Sequence, residues 1–546
     1  MSEKTTTNNN SPVPSGTRRM EILTEQLNND LQVITASRNA AEAAKRAPQA
    51  KWTNLAQLGH CTPQVHHTPT SVEEVQRTIK AIHAKGEKCR VAGDGKSPNA
   101  CAFTSGHLIH TEELSRIFSV DSTAMTITCE GGALLRDIHR VLDANGLMLR
   151  CVPSIVDMTI AGAMATAAHS SGIGTKSICA YVTEMVVVNG EGNLVKFSKE
   201  KTPKELRIAA CHLGAMGVVV RVTVQAERRS TWRLVSDCCT VQRMHQVLAQ
   251  RVMTSEYYRF WWTPHTDYCY ETLGRRLTPA DEEHRGGASQ AGSASARSLT
   301  SAATEKSDTP VGKMKRVLKL VRKETTDASH QQRWEAEQKS LTTQTMSLVK
   351  GLWLRHHTLE AALLLGCYLP QVIPFVNKAY QKIFLNSPQE FFGSAVDAFT
   401  FDCLFRQWAC EWAIEAHRAL EALDLIRQMI HQNNIKAHFP VEFRFCDEED
   451  ISLSPSVGRR TCWIGLVMYR PHGKDAKDTL RVYRLFCELM QRLGGRPHWA
   501  KFFNWRRNDI ATSYGGHWQR WLELRQQMDP KNTFVNEWLN NLLTQD

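Results

Sequence analysis

A carboxylate and a guanidinium lie two residues apart in the last quarter of the chain, at Glu442 and Arg444. Residues 438–445 alternate with the period of two that is typical of a β-strand. The two charged side chains therefore share one face of this strand, where they can orient a polyol or stabilise developing negative charge. A pair of this kind can also be a solvated ion pair without any chemistry, and the period alone does not choose between the two interpretations.

A second candidate group lies at residues 494–501, where His498 and Lys501 stand three positions apart. One helical turn would bring both side chains to the same side of the backbone. A cation held there could stabilise an anion that forms during a reaction. The alternative without chemistry is a basic surface turn after the glycine pair at 494–495.

A third candidate is a polar loop that follows a strand predicted over residues 88–92. The loop consists of Gly93, Asp94, Gly95, Lys96 and Ser97. Glycines without a Cβ let backbone N–H groups approach a phosphate closely. The loop is not a nucleotide-triphosphate P-loop, because that motif needs glycine where Arg90 stands, and it lacks the third glycine of a Rossmann fingerprint.

The elements that must position these groups alternate between helices and strands in the first half of the chain. Ser71, three residues before Glu74, predicts a capped helix that ends at Lys85 with Gly86 at its C′ position. Periodic segments predict, in order, a strand over 122–130, a helix over 133–144, a hairpin over 185–197, a helix over 203–212 and a strand over 218–225. Residues 152–172 are mostly small, as is typical of backbone that packs against a flat ligand.

The composition limits the class of protein. A chain of 546 residues, 42% hydrophobic and 22% charged, is long enough for two or more domains with their own cores. The formal net charge of +12 favours anionic partners such as nucleic acid, an anionic membrane or phosphorylated and carboxylate ligands. The sixteen cysteines form no C-x-x-C pair and there is no H-E-x-x-H motif, so we predict reduced thiols, an intracellular location and no metal site.

Together these motifs resemble the vanillyl-alcohol-oxidase flavoprotein family, and within it the sugar-1,4-lactone oxidases. In the first half the similar pieces are the helix after Ser71, the loop 93–97, the A-G-A-x-x-T-x-x-H-x-x-G pattern at 161–172 and L-G-A-M-G-V at 213–218. In the second half they are W-x-P-x-T-D at 262–267, E-x-R at 442–444, H-W-x-K at 498–501 and D-P-x-x-x-F at 529–534. The resemblance extends over nearly the whole chain after about residue 51.

The resemblance implies an α+β fold with two domains. These would be a PCMH-type FAD-binding domain over residues 51–227 and an α+β substrate (cap) domain over 228–546, preceded by an extension over 1–50. Residues 280–310 are rich in Ser, Ala, Gly and charge, and we expect them to form a disordered insertion in the second domain.

The resemblance also assigns roles to individual residues. The catalytic residues would be Glu442, Arg444, Lys501 and His498. Glu442 would bind or deprotonate the C2 hydroxyl of a lactone, Arg444 would hold the lactone oxygens, and Lys501 would stabilise the reduced flavin. The flavin would contact Gly93, Asp94, Gly95, Lys96, Ser97, Pro153, Ser154, Thr159, Gly162, Thr166, His169 and Val218. The alternative for His169 is a core histidine bonded to the backbone.

Lys96 departs from the family pattern. Many relatives have a histidine at this position, and that histidine bonds covalently to the flavin. Lysine is not expected to form the bond, so we expect a noncovalent flavin with Lys96 as a cation that faces phosphate. The family implies FAD, and this departure leaves FMN open as the alternative cofactor.

The implied reaction is the oxidation of an arabinono-, gulono- or galactono-1,4-lactone to ascorbate or an analogue, with O2 as acceptor and H2O2 as by-product. The alternatives are a dehydrogenase of the same fold that passes electrons to a cytochrome such as cytochrome c, or one that acts on an alditol or hydroxy acid. Pro153 stands where relatives of the oxidase and dehydrogenase kinds tend to differ.

The sequence says less about nucleic acid, membranes and cellular location than about the cofactor and substrate. We expect no nucleic acid, because the basic residues are dispersed and no recognised binding motif occurs. Residues 313–323 combine an apolar stripe with Lys and Arg, which suits either a helix packed on its own domain or peripheral association with a membrane. The apolar stretch 361–376 is interrupted by prolines and is too short to span a bilayer. The sequence does not choose between the cytoplasm and an organelle of the mitochondrial or peroxisomal kind.

Overall fold

Three β-sheets and the helices that connect them form the fold. The structure is a computed structural model, and it describes residues 50–278, 281, 359–400, 407–470, 475 and 478–544. Nearly all of the expected extension and insertion, and all of the basic segment 313–323, lie outside the described residues. In chain order the strands are β1 Val65–His67, β2 Cys89–Ala92, β3 His107–His110, β4 Ile117–Asp121, β5 Thr126–Cys129, β6 Leu147–Leu149, β7 Val182–Val188, β8 Leu194–Ser198, β9 Val218–Arg228, β10 Trp232–Thr240, β11 Tyr257–Trp262, β12 Tyr268–Arg276, β13 Gln389–Gly393, β14 Gln407–Glu415, β15 Val441–Cys446, β16 Thr461–Tyr469 and β17 Arg496–Pro497.

Helices follow or separate most of these strands. They are α1 Val72–Lys85, α2 Leu135–Ala144, α3 Ile160–Ala165, α4 Pro203–Ala209, α5 Val241–Thr254, α6 359–368, α7 Ile373–Phe384, α8 Ala395–Phe399, α9 Ala419–Gln432, α10 Thr479–Arg492, α11 Arg507–Tyr514, α12 Gly516–Met528 and α13 Glu537–Thr544. Short 3₁₀ turns occur at Ile178–Tyr181, Pro370–Val372 and Ala416–Arg418.

The three sheets divide along the chain. Strands β1, β3 and β2 form a parallel sheet, and a six-stranded antiparallel sheet has the order β4-β5-β9-β7-β8 with β6 also on β9. The eight-stranded antiparallel sheet has the order β13-β10-β12-β11-β15-β16-β14-β17. The two smaller sheets use only strands from 65–228, and the large sheet uses strands from 232–497. This mixture of helix and sheet confirms the predicted α+β class.

Helix α1 forms as its sequence predicts. The Ser71 hydroxyl accepts a hydrogen bond from the Glu74 N–H at 3.2 Å, which caps the first turn. Gly86 ends the helix with a φ of +67°, in the left-handed region that glycine enters without strain. Its buried face carries Val75, Ile79 and Ile82 and packs beside β2, which leads directly into the loop 93–97.

The strand predicted over 122–130 is wrong in its first half. The chain instead forms a hairpin of β4 and β5, with a turn over 122–125. The Asp121 carboxylate accepts hydrogen bonds from the N–H groups of Thr123 and Ala124, both at 2.8 Å, and this side-chain turn reverses the chain. Alternation continued across the turn, so the period alone did not reveal it. The helix predicted over 203–212 likewise ends early, at Ala209.

The segment 361–376 is divided between the interior and the surface. Leu363 and Ile373 are buried, whereas four large apolar side chains of this segment are at least 49% exposed: Leu365, Tyr368, Leu369 and Phe375. Among the described residues, no helix combines the length and the apolar character needed to cross a bilayer.

The C-terminal segment packs beside β2, the strand that leads into the loop 93–97. Arg90 on β2 is buried, and its guanidinium donates hydrogen bonds to the carbonyls of Gly214 and Phe534 at 2.9 Å, of Leu213 at 3.0 Å, and of Cys101. Asp529 accepts from the N–H groups of Thr533 and Phe534, which shapes the segment that reaches Arg90. The C-terminal segment therefore packs on the same part of the fold as the first strands.

Candidate active site

The loop 93–97 presents four backbone donors that have no partner within the described part of the chain. The N–H groups of Gly93, Gly95, Lys96 and Ser97 donate no hydrogen bond to any described residue. Gly95 has a φ of +66°, and the Lys96 ammonium pairs with the Asp94 carboxylate at 2.8 Å. Consecutive free N–H groups beside a lysine form a suitable binding site for an anion such as phosphate.

A second loop, residues 154–158, meets the first one. Within the described residues, none of its N–H groups donates a hydrogen bond. It leads into α3, where Thr159 caps the helix by accepting from the Gly162 N–H at 3.2 Å. A Cβ at Gly93 would collide with the Thr159 hydroxyl, so glycine is required where the loops touch. The Thr166 hydroxyl donates to the Gly162 carbonyl at 3.4 Å and extends this small-residue surface.

These two loops fit a flavin. A flavin offers pyrimidine carbonyls and phosphate oxygens, which are the acceptors that free backbone N–H groups require. Pro153 is buried directly before the second loop, and its contact with the flavin stays a prediction. Val218 differs, because its side chain is fully buried in a core cluster with Val75 and Ile79. Contact between Val218 and the flavin therefore stays a prediction.

Strand β15 places Glu442 and Arg444 as the period predicted. It lies between β11 and β16, and the Arg444 Nε is 3.3 Å from a Glu442 oxygen. The Trp261 indole on β11 donates to Glu442 at 2.9 Å, and the Arg259 guanidinium lies 3.8 Å from the same carboxylate oxygen. The side chains of Glu442 and Arg444 are only 15% and 10% exposed. The interpretation as a freely solvated ion pair is therefore wrong.

Arg444 joins this strand to the second loop. Its Nη1 donates to the Ser154 hydroxyl at 3.0 Å, and its Nη2 binds the Glu411 carboxylate and lies 3.5 Å from His169 Nε2. Although burial opposes ionisation, the charge of Arg444 holds the pKa of Glu411 well below its usual value. One guanidinium thus contacts the loop beside the candidate flavin site, the large sheet and a buried histidine.

His169 and His498 both pack against a buried tryptophan, and their own rings lie 5.7 Å apart. The His169 ring stacks on Trp463 with centroids 3.8 Å apart, and the His498 ring lies 5.5 Å from the same indole. Burial, together with the charge of Arg444, lowers the pKa of His169, and burial lowers the pKa of His498 to about 3. Both imidazoles are therefore neutral at physiological pH. His169 combines the two predicted alternatives, since it contacts Arg444 and its Nδ1 also bonds the Ser170 carbonyl at 2.9 Å.

Lys501 follows His498 in a tight turn rather than in a helix. The Lys501 N–H donates to the His498 carbonyl at 2.9 Å. The Asn99 side chain donates to the carbonyls of Trp499 at 2.7 Å and Lys501 at 3.1 Å. Because Asn99 lies two residues after the loop 93–97, this amide fixes the position of the Lys501 turn relative to the first loop.

Sequence reasoning missed Glu411 and Trp463. Glu411 is the one acidic residue inside the strongly apolar run from Trp408 to Ile414, and a lone carboxylate in a buried strand needs a partner. That signal could have identified it as a candidate. Trp463 gave no comparable signal, because a tryptophan in an apolar strand is an ordinary core residue.

The same cluster has the spacing of a metal site. Ligand atoms of His169, Glu411 and His498 lie within 4.8 Å of one another, and all three residues are buried. The guanidinium of Arg444 already supplies a positive charge to Glu411. A second cation would be repelled there, and the absence of a resident metal stays a prediction.

Two protein-family models match separate parts of the chain. A family model described as FAD binding domain matches residues 63–198, and one described as D-arabinono-1,4-lactone oxidase matches residues 321–542. The crystal structure of cholesterol oxidase from B. sterolicum has a similar fold, with a TM-score of 0.65 at 15% identity, over 90% of this chain and 96% of that chain.

Curated relatives match over almost their whole length. L-gulonolactone oxidase from Scyliorhinus torazame is 27% identical over 90% of this chain and 97% of its own. L-gulono-1,4-lactone dehydrogenase from Mycobacterium tuberculosis is 24% identical over 90% of this chain and 99% of its own. The chain therefore combines an FAD binding domain with a D-arabinono-1,4-lactone oxidase domain, in agreement with its resemblance to the sugar-1,4-lactone oxidases.

Proposed function

We propose that the protein uses FAD to oxidise an aldono-1,4-lactone at C2. The observation that carries this proposal is the contact of Arg444 with Ser154, which brings the acid–base strand to the loops that fit a flavin. The names of the relatives support the substrate class. In this proposal residues 51–227 form the FAD-binding domain and residues 228–546 form the substrate domain.

The side chains at the site have complementary roles. FAD, held by the loops 93–97 and 154–158, would supply the acceptor for the hydride from C2–H of the lactone, with O2 as the final acceptor of the two electrons and H2O2 as the by-product. The Glu442 carboxylate would accept the hydrogen of the C2 hydroxyl, held in place by the Trp261 indole. Arg444 would bind the lactone oxygens, and Lys501, on the turn fixed by Asn99, would stabilise negative charge at the cofactor. His498, neutral and buried, would shape the wall beside Arg444.

Activity with a panel of lactones tests the substrate and the acceptor together. We expect turnover with at least one of the arabinono-, gulono- and galactono-lactones, with one H2O2 released per lactone oxidised in air. Cytochrome c reduction without peroxide would favour the dehydrogenase alternative, which the name of the mycobacterial relative makes specific. Turnover of alditols or hydroxy acids but of none of the lactones would contradict the proposed substrate class.

We further propose that the FAD is held without a covalent bond. Lys96 stands where relatives carry the linking histidine, and its ammonium pairs with Asp94. Acid precipitation should therefore leave the yellow colour in the supernatant. Chromatography of the released cofactor distinguishes FAD from FMN. Colour that stays in the precipitate would contradict noncovalent binding.

Peripheral contact with an anionic membrane is a second part of the proposal. The exposed apolar side chains on α6 and α7 include Phe375, which is 81% exposed, and α7 also carries Lys378 and Lys382. Apolar groups beside lysines suit the interface of an anionic bilayer. Flotation with phosphatidylserine vesicles should carry the protein upward, and Phe375→Glu should reduce that fraction. The matched control is Leu194→Glu, because Leu194 is also exposed but lies on β8, outside α6 and α7. Equal flotation of both variants would contradict this surface.

A further inference from the structure

Glu411 is a charged residue inside an apolar strand. It lies on β14 between Cys410 and Trp412, both fully buried, and is itself 4% exposed. An ionised carboxylate in such surroundings is strongly disfavoured unless a cation and hydrogen-bond donors compensate it. The identity of its partners therefore indicates why the strand contains a charge.

The neighbouring histidine does not neutralise Glu411. His169 Nε2 lies 3.4 Å from the Glu411 carboxylate, but burial and Arg444 lower the pKa of the imidazole and keep it neutral. The Ser170 carbonyl can only accept a hydrogen bond, so the hydrogen of the ring is on Nδ1. Nε2 is then an acceptor, and it is oriented towards the Nη2 group of Arg444. The compensating charge for Glu411 is the guanidinium.

The same contacts determine which donors of Arg444 remain for a ligand. The two Nη2 hydrogens are directed to Glu411 and His169, and one Nη1 hydrogen to Ser154. The Nε hydrogen has no aligned acceptor among the described residues, although Glu442 lies 3.3 Å away. The Nε group is buried beside Glu442 and closed to a ligand, so one Nη1 hydrogen is left, in a fixed plane.

We propose that Glu411 is a positioning residue that fixes the plane and partly neutralises the charge of Arg444, so that its remaining Nη1 donor binds the lactone. This inference rests on the proposed function for the nature of the ligand. Glu411 acts through Arg444 and does not itself touch the substrate. Without its carboxylate, the guanidinium loses the partner that holds Nη2 and retains its full charge beside the flavin site.

A double-mutant cycle tests this dependence. Glu411→Gln should lower kcat/KM for the lactone by about tenfold or more, as expected for charged groups in direct contact. In an Arg444→Met background the same change should cause no further loss. Glu271→Gln is the matched control, because Glu271 is a carboxylate of the same sheet that is 5% exposed and bonded to Tyr258. Losses that simply add in the double variant would overturn the proposal.

A second readout does not depend on lactone turnover. Sulfite adds through its sulfur lone pair to N5 of oxidised flavin and bleaches the visible absorbance, and positive charge near the ring favours the adduct. We expect Glu411→Gln to tighten the sulfite Kd by about fivefold or more, with no change when Arg444→Met is already present. A tighter Kd that disappears in the Arg444→Met background supports the proposal, and a weaker Kd contradicts it. An unchanged Kd, or a change that persists in that background, overturns it.

The two experiments separate the failure of this inference from the failure of the proposed function. A folded, yellow wild-type protein that oxidises none of the lactones would contradict the function, while the sulfite titration would still decide the role of Glu411. Thermal melting of each variant with bound flavin shows whether the fold is intact. A wild type that oxidises lactones, beside an equally active Glu411→Gln variant with unchanged sulfite affinity, would contradict only the role of Glu411.

Discussion

The Glu442 carboxylate contacts side chains from two strands, β11 and β15. Trp261 donates to one oxygen at 2.9 Å, and guanidinium groups lie 3.8 Å and 3.3 Å from the carboxylate. Such contacts hold one orientation of the group, which is what a residue that receives a proton at a defined atom requires. The neighbouring Arg444 would orient the substrate and supply positive charge. Substitution of Glu442 or Arg444 should therefore reduce turnover, whereas substitution of residues that bind the flavin should release the cofactor.

We predict that Glu442→Gln and Arg444→Ala each lower kcat by at least about a hundredfold while flavin stays bound. The reason is that the backbone N–H groups of the loops 93–97 and 154–158 would hold the flavin, and neither side chain bonds to them, since Arg444 contacts only the Ser154 hydroxyl in these loops. The measurements are steady-state turnover and the ratio of flavin to protein absorbance. Glu390→Gln on the edge strand β13, where the side chain is 45% exposed, should leave turnover unchanged. Normal turnover in either site variant would refute the assigned roles.

At the scale of elements, the first loop packs tightly against the start of α3 in the candidate flavin site. Gly93 lies against Thr159, which caps α3, and a Cβ there has no room beside the threonine hydroxyl. The contact of Gly93 with Thr159 therefore fixes the distance between the loop 93–97 and the loop 154–158.

We predict that Gly93→Ala releases flavin, because the loop must move away from Thr159 to accommodate the methyl group. The fraction of protein that retains flavin after gel filtration measures the effect. Gly174→Ala is the control, since a Cβ at Gly174 would meet nothing within 4 Å. Full flavin retention in Gly93→Ala would show that the loop adapts and that its separation from α3 is not critical.

Helix α2 contains a buried histidine that should make the fold sensitive to acid. Burial lowers the pKa of His139 to about 4 from its usual 6.5. The unfolded chain therefore binds a proton that the folded chain excludes, and the stability present above pH 6.5 is lost as the pH falls towards 4. His139→Met should reduce the loss of unfolding free energy between pH 7 and pH 5 by about 2 kcal/mol.

Urea unfolding of wild type and His139→Met at both pH values checks this prediction. His417→Gln, at an imidazole that is 74% exposed, should follow the wild type. His212 and His498 are buried with similarly lowered pKa values, so part of the acid sensitivity should remain in the variant. Identical pH dependence of His139→Met and wild type would contradict this account.

Local sequence patterns predicted the helices and strands well, but they did not predict which strands pair or which side chains meet across them. The cap at Ser71 and the period around Glu442 are properties of a few neighbouring residues, and both elements formed as expected. The turn after Asp121 was missed because its side-chain hydrogen bonds interrupt an otherwise regular alternation. Glu411 stands 33 residues before Arg444, and only the pairing of β14 with β16 and of β16 with β15 brings them together. Such contacts depend on strand order, which a single sequence does not reveal.

At the scale of the whole molecule, Arg90 connects segments that are far apart in the chain. Its guanidinium is 3% exposed and donates to carbonyls at 101, 213, 214 and 534. Each of these carbonyls belongs to an irregular segment around the first loop, so the guanidinium replaces the backbone partners that regular structure would have supplied. The geometry of the flavin site therefore depends on a residue that is not part of it.

We predict that Arg90→Met lowers the free energy of unfolding by at least about 3 kcal/mol, because several buried carbonyls lose their donor at once. Arg90→Lys should recover little of the loss, since an ammonium cannot reproduce the planar fork that reaches four oxygens. Urea unfolding with bound flavin measures both variants. Arg221→Met, at an exposed arginine on β9, should differ little from the wild type. If Arg90→Met unfolded at the wild-type midpoint, the C-terminal segment would be held on the first strands by its apolar contacts, with Phe534 in the core beside α1, rather than by the guanidinium.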